Sequence, residues 1–264
     1  MKDQYFGDVN DYRKYGLLRQ LGGHGRLRTV VCWALTESDG SSDGARTGYL
    51  ERPEEWQRFD PELFAFLRRQ VVHMGERCVA VIERASILPN CSFFGEMLPE
   101  DSRSRDSFLQ RCLAVATGAD LLFFDPDNGL GVKSVPRGSR NSSKYVYPDE
   151  VRAAFASGHS VLLYQHFPRT PREEYVRSTV YRMAPVLGVD RVVSFAASQV
   201  VFLLFPQPRH WRALEANARA AAIAWGGEIE VLVHRRVQAS YHRGLPTMLP
   251  ARLTGQERLA VAAG

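Results

Sequence analysis

The apolar positions fall into short runs that stop abruptly at polar, glycine or proline residues, the pattern expected of buried strands. Residues 29–35, 78–83, 120–125, 160–165, 191–196, 200–205 and 228–234 show it, and 91–94 make a short extra candidate. Between them lie stretches with helical spacing, at 53–72, 103–116, 148–157, 171–186 and 206–224. The first opens Pro53-Glu54-Glu55, a proline suited to a first helical turn and two acids suited to its positive end. Strands that alternate with helices predict crossover connections and a mostly parallel sheet. Only Ala197-Ser198-Gln199 separates 191–196 from 200–205. That link is too short for a crossover, so the two runs should pair as an antiparallel hairpin.

Two stretches read as loops at the carboxyl edge of the sheet, where open α/β proteins place their ligands: 36–46 (TESDGSSDGAR) and 132–144 (VKSVPRGSRNSSK). No internal repeat and no domain boundary is visible. The expected organisation is one α/β domain over residues 1–240 with an N-terminal helical cap over about residues 1–25, then an irregular tail over 241–264. The chain has 264 residues, 45% of them hydrophobic, enough for one substantial core. No apolar run reaches the roughly 18 residues of a membrane helix. The start Met1-Lys2-Asp3-Gln4 lacks the apolar centre of a signal peptide, so the expected location is cytoplasmic. Cys32, Cys78, Cys91 and Cys112 form no C-x-x-C pair, which favours buried thiols over a zinc site. A net charge of +5 and a pI of about 9.1 are compatible with a polyanionic partner such as a nucleic acid or nucleotide but do not establish one, and a protein partner is the alternative.

The sharpest chemical signal is Leu121-Leu122-Phe123-Phe124-Asp125-Pro126-Asp127-Asn128-Gly129. A buried strand delivers Asp125 to its carboxyl end, and proline and glycine turn the chain at once. Two acids and an amide then stand in one tight turn. The plain alternative is a turn whose Asp and Asn only cap backbone groups. Gln165, His166 and Arg169 end another strand and should lie beside Asp125; His166 suits a base and Arg169 a phosphate contact. Lys133, Lys144 and Tyr145 add cationic and aromatic groups suited to phosphates and bases. At the N-terminus, Asp8, Asp11 and Tyr12 would share one helix face, as would Asp11, Lys14 and Tyr15. Either this is a surface helix with internal ion pairs, or a cap that brings Asp8, Asp11 or Lys14 over the crevice.

Asp125-Pro126-Asp127-Asn128 resembles the Asp-Pro-Pro-Tyr motif of amino-group methyltransferases that act on nucleic acid bases. Thr47-Gly48-Tyr49-Leu50 is similar to an element after the first strand of the large-subunit ribosomal RNA adenine-N6 methyltransferase family. That resemblance implies an α/β fold of the Rossmann-like methyltransferase type, a mostly parallel sheet ending in an antiparallel hairpin. It implies S-adenosylmethionine as cofactor, with Glu83 near it and Glu37, Asp39 and Gly40 in the turn after the first strand. It implies that Asp125 and Asn128 hold the target amine. The chain departs from the family where Ala34-Leu35-Thr36-Glu37-Ser38-Asp39-Gly40 replaces a glycine-rich turn, and where Asp127 and Asn128 replace a proline and an aromatic. The N-terminus, Phe6-Gly7-Asp8 through Lys14-Tyr15-Gly16-Leu17-Leu18-Arg19, resembles the F-G-D-x-x-D-x-x-K-Y-G-L-L-R opening of a bacterial protein family, which implies no activity.

Three functions are therefore open. The first is methyl transfer from S-adenosylmethionine to an amino group of a nucleic acid or nucleotide. The second is a metal-dependent nuclease or phosphohydrolase, with Asp125, Asp127 and Glu83 or Asp8 on magnesium, and Lys133 or His166 aiding water attack. The third is a binding module without catalysis. Catalytic candidates are Asp125, Asp127, Asn128 and His166; substrate-binding candidates are Asp8, Asp11, Lys14, Lys133, Tyr145, Gln165 and Arg169. Asp125, Asp127, Glu83 and His166 are expected in one crevice, with the N-terminal segment packed against it.

Overall fold

All but one of the apolar runs become strands, and Thr29–Cys32, Leu121–Phe124 and Val200–Phe205 are buried at every position, which explains why they show no alternation. A computed structural model describes residues 1–38, 40, 43–235 and 255–259. In chain order the elements are α1 (Val9–Leu21), β1 (Thr29–Cys32), α2 (Pro53–Trp56), α3 (Pro61–Arg68), α4 (Ala80–Arg84) and β2 (Cys91–Phe94). There follow α5 (Ser102–Val115), β3 (Leu121–Phe124), β4 (Gly129–Leu130), β5 (Tyr145–Val146), α6 (Pro148–Ala156) and β6 (Ser160–His166). The last are α7 (Arg172–Leu187), β7 (Arg191–Ala196), β8 (Val200–Phe205), α8 (Trp211–Ala224), β9 (Glu230–Arg235) and β10 (Gly255–Arg258).

Eight strands form one sheet in the order β10-β9-β7-β8-β6-β3-β1-β2. The run β2-β1-β3-β6 is parallel, and β8 pairs antiparallel with both β6 and β7. The expected α/β sheet and its antiparallel hairpin are both present, and the architecture is compatible with a Rossmann-like fold. One face of the sheet packs on α1, α3, α4 and α8, the other on α5, α6 and α7. Among the described residues no helix is long and apolar enough to cross a membrane.

Three segments differ from the sequence reading. Residues 78–83, read as a strand, turn into α4: Val79, Val81 and Ile82 are buried, and Asp3 Oδ1 accepts the Val79 amide at 3.0 Å. A short apolar run fits a buried helix as well as a strand, and here the helix prevails. The stretch 53–72 breaks into α2 and α3, because the residue before Pro61 is forced out of helical geometry. Asp60 fills that break as N-cap, accepting the Leu63 amide at 3.1 Å. In the tail read as irregular, Gly255–Arg258 pairs with β9 as an edge strand; residues 236–254 and 260–264 lie outside the described residues.

Helix α1 is buried along almost its whole length, which rules out the surface-helix reading. Tyr12 shows how it is seated. Its hydroxyl donates to the Trp56 carbonyl at 2.9 Å and accepts the Asp60 amide at 3.1 Å, and its ring stacks on Tyr49. Gly16 lets α1 approach α8: a Cβ there would sit 1.9 Å from Trp225 Cζ2. Gly16→Ala should therefore cost about 1–3 kcal/mol in urea unfolding. Gly48→Ala, where a Cβ would meet nothing within 4 Å, should change stability far less.

Candidate functional site

The Asp125 turn is built by β3 and by its neighbours. The Asp125 amide donates to the Cys32 carbonyl at 3.0 Å, extending the β1–β3 ladder by one residue. Gln165, at the end of β6, holds the far side: Oε1 accepts the Leu130 amide at 2.7 Å and Nε2 donates to the Asn128 carbonyl at 2.9 Å. Gly129, at φ 110°, lies so near that a Cβ would be 2.3 Å from Gln165 Oε1. Gln165 is thus a buried brace for the turn and does not line the site.

The turn opens onto a cavity of about 430 Å³. Asp8, Asp11, Lys14, Asp125, Asp127, Asn128 and His166 all line it, together with Met1, Tyr5, Arg46, Tyr164 and Gln199. Lys14 is its electrostatic centre. Its Nζ lies 2.7 Å from Asp11 Oδ1 and 2.7 Å from Asp125 Oδ2, and all three residues are only 2% exposed. The Tyr15 hydroxyl donates to the other Asp11 oxygen at 3.0 Å. The ammonium also lies 5.3 Å from the Tyr164 ring centre.

Asp127 is held differently. Its Oδ2 accepts the Thr36 hydroxyl at 2.7 Å. Its Oδ1 is 2.8 Å from the Met1 amino nitrogen, close enough for an ion pair but without hydrogen-bond alignment. That nitrogen donates to the carbonyls of Asp125 at 3.0 Å and Ala34 at 3.2 Å, and the Met1 carbonyl accepts the Thr36 amide at 2.9 Å. Met1 thus sits over the end of β1. Ala34 takes φ 46° there, a left-handed conformation costly for a side-chain-bearing residue, by roughly 1 kcal/mol. Asp8 caps α1 through the Asn10 amide at 2.9 Å and pairs with Arg46 at 3.2 Å.

These surroundings set the protonation states. Burial, reinforced by Asp125, raises the Asp11 carboxyl to about 6 despite the opposing Lys14 ammonium. Burial pulls Lys14 down, but Asp11 and Asp125 outweigh it and hold the ammonium above its ordinary range. Burial, then Arg46 and Lys14, lower His166 and favour neutral imidazole. The His166 Nε2 pairs with the Tyr164 hydroxyl at 2.9 Å.

Other predicted residues lie elsewhere. Glu83 is on α4, not at a strand end, and its Oε1 accepts the Trp33 indole N–H at 2.7 Å, so it does not join Asp125 and His166. Glu37 and Gly40 are exposed on the loop after β1, and a Cβ at Gly40 would meet nothing; Asp39 lies outside the described residues. Lys133 and Arg169 are exposed and Tyr145 is half-buried, and none of the three lines the cavity. Arg46, Gln199 and Tyr164 escaped the sequence reading. Tyr164 carried a usable signal, because it stands two residues before His166 on a strand and so points to the same face. Searches against known protein families and curated proteins find no match for this chain.

The raised Asp11 carboxyl has a consequence for stability. A carboxyl whose folded pKa lies above its ordinary value of 3.8 favours folding at low pH, and that contribution is lost as pH rises through the folded pKa of about 6. Relative to Asp11→Asn, the wild type should lose up to ~3 kcal/mol between about pH 4 and pH 7. Urea unfolding across that range reads it, and parallel curves for the two proteins would contradict it.

Proposed function

We propose that the cavity is a recognition site for an amino-bearing group, gripped by Asp125 and Asn128. One observation carries the reading. Lys14 occupies only one Asp125 oxygen, and among the described residues no donor reaches the other, although Asp125 is buried and lines the cavity. Asn128 also lines the cavity, and its side chain has no hydrogen-bond partner among the described residues. A carboxylate accepts N–H bonds, and a carboxamide oxygen beside it accepts another. The cavity volume lies within the ~300–1,000 Å³ usual for small-molecule sites.

Bound magnesium does not fit this arrangement. Lys14 and the Met1 amino group take oxygens that a metal would need, and no three His, Cys, Asp or Glu side chains converge for a metal among the described residues. S-adenosylmethionine does not fit either while Met1 covers the end of β1 and Glu83 is committed to Trp33. Methyl transfer remains a second reading, favoured by the position of the Asp125 turn at the end of β3 beside β1. It requires residues 1–7 to leave the crevice. The nucleotide or nucleic-acid class draws its support from the net charge of +5 and from exposed Lys133 and Arg169, outside the cavity.

Nucleosides that differ at one position test the proposal. Cytidine should bind at least about tenfold more tightly than uridine, and adenosine than inosine, because the oxo partner offers no amino donor to Asp125. Asp125→Asn should abolish that preference, with its unfolding transition measured alongside to show that the fold persists. Equal affinities within each pair in calorimetry would overturn the reading. Tight binding of S-adenosylmethionine to the full chain would instead promote methyl transfer.

A further inference from the structure

Around Lys14 the charges do not balance. Asp8 is matched by Arg46, and Asp127 by the Met1 amino group. Lys14, however, serves two carboxylates, Asp11 and Asp125, so this buried triad carries one negative charge that no ion pair among the described residues matches. It is buried: both acids are 2% exposed. A buried unpaired charge is costly, and a ligand that supplies the missing positive charge relieves that cost. The position where it would act is marked by the Asp125 oxygen that no protein donor reaches, with the Asn128 carboxamide beside it.

We infer that the cavity is a cation site, selective for an organic cation that carries N–H donors, an amidinium, guanidinium or primary ammonium, held by the free oxygen of Asp125. This rests on the amino-group reading and adds charge to it. An amidinium can place one charge-assisted N–H on the free Asp125 oxygen, since Lys14 holds the other, and keeps a second N–H for the neighbouring Asn128.

The groups that titrate or carry charge around this position come from every neighbouring element. They are the Met1 amino group, Lys2 and Tyr5 of the N-terminal segment, Asp8, Asp11, Lys14 and Tyr15 of the α1 segment, Asp43 and Arg46 of the loop before Tyr49, Asp125 and Asp127 of the turn, and Tyr164 and His166 of β6. As pH falls, Asp11 gains a proton near 6 and cancels the excess charge. His166, with its pKa lowered, protonates later and adds a positive charge. Both changes oppose a cation, so binding tightens as pH rises.

Benzamidine, uncharged benzamide and tetramethylammonium, titrated into the full chain by calorimetry, test the inference, with cytidine as the uncharged amino-bearing reference. Benzamidine should bind at least about tenfold more tightly than benzamide and cytidine, and tetramethylammonium, which has no N–H, should match benzamide. The benzamidine affinity should fall several-fold from about pH 7.5 to about pH 5, and Asp11→Asn should remove the part of that fall centred near pH 6, leaving the part due to His166. Asp125→Asn should lose the benzamidine preference, with its unfolding midpoint measured alongside to show that the fold persists. Cytidine binding as well as benzamidine would overturn the charge selection and leave the amino-group reading standing. Tetramethylammonium binding as well as benzamidine would show a diffuse field and overturn the site. Failure of every probe would overturn both.

Discussion

A single ammonium, Nζ of Lys14, is shared between Asp11 on its own helix and Asp125 at the end of β3, 2.7 Å from each. Much of the structure follows from that contact. It draws the polar face of α1 onto the carboxyl edge of the sheet, while Tyr12, Leu17, Leu18 and Leu21 bury the apolar face against the core. A lysine stripped of water is tolerated only where carboxylates replace the lost hydration, and the two carboxylates are tolerated only where the lysine stands between them. The three groups are thus mutually required, and they bind the first helix to the central strand more specifically than apolar packing alone would.

The same contact shapes what the crevice can hold. Lys14 and the Met1 amino group each engage one oxygen, of Asp125 and of Asp127, and the carboxyl end of β1 lies beneath Met1. What stays open is narrow: one oxygen of Asp125, the Asn128 carboxamide, neutral His166 and the rim residues Arg46 and Gln199. The basic loop after β4 contributes little to this space, because its anchor points elsewhere. Arg105, fully buried on α5, donates to Glu150 at 2.8 Å and to the carbonyls of Ser142 and Tyr145 at 3.0 and 2.8 Å. That fixes the loop over the α5–α6 side of the sheet and leaves Lys133 turned to solvent.

The sheet was largely legible in the chain because its strands are buried runs bounded by turn residues, and the three-residue link at 197–199 permits only a hairpin. The site was legible in part. Asp125, Asp127 and Asn128 follow from a strand that ends in a proline turn, and Asp11, Lys14 and Tyr15 from their helical spacing. Glu83 failed because a short apolar run does not separate a buried helix from a strand, and the choice was made by the capping contact from Asp3, far away in sequence. Arg46 and Met1 were invisible for a related reason. Each acts through partners on other elements, Asp8 and Gln199 for Arg46, Ala34 and Asp125 for Met1, and no local pattern announces such pairings.

The Lys14 contact itself is open to a direct measurement: urea unfolding near neutral pH of Lys14→Met alone and of the same change combined with Asp11→Asn and Asp125→Asn. If the ammonium holds the two acids as described, Lys14→Met leaves two buried carboxylates facing each other and costs about 3–5 kcal/mol. The triple variant, with the charges removed together, should regain most of that loss. A Lys14→Met protein within about 1 kcal/mol of wild type, the range of a solvent-screened pair, would contradict the account.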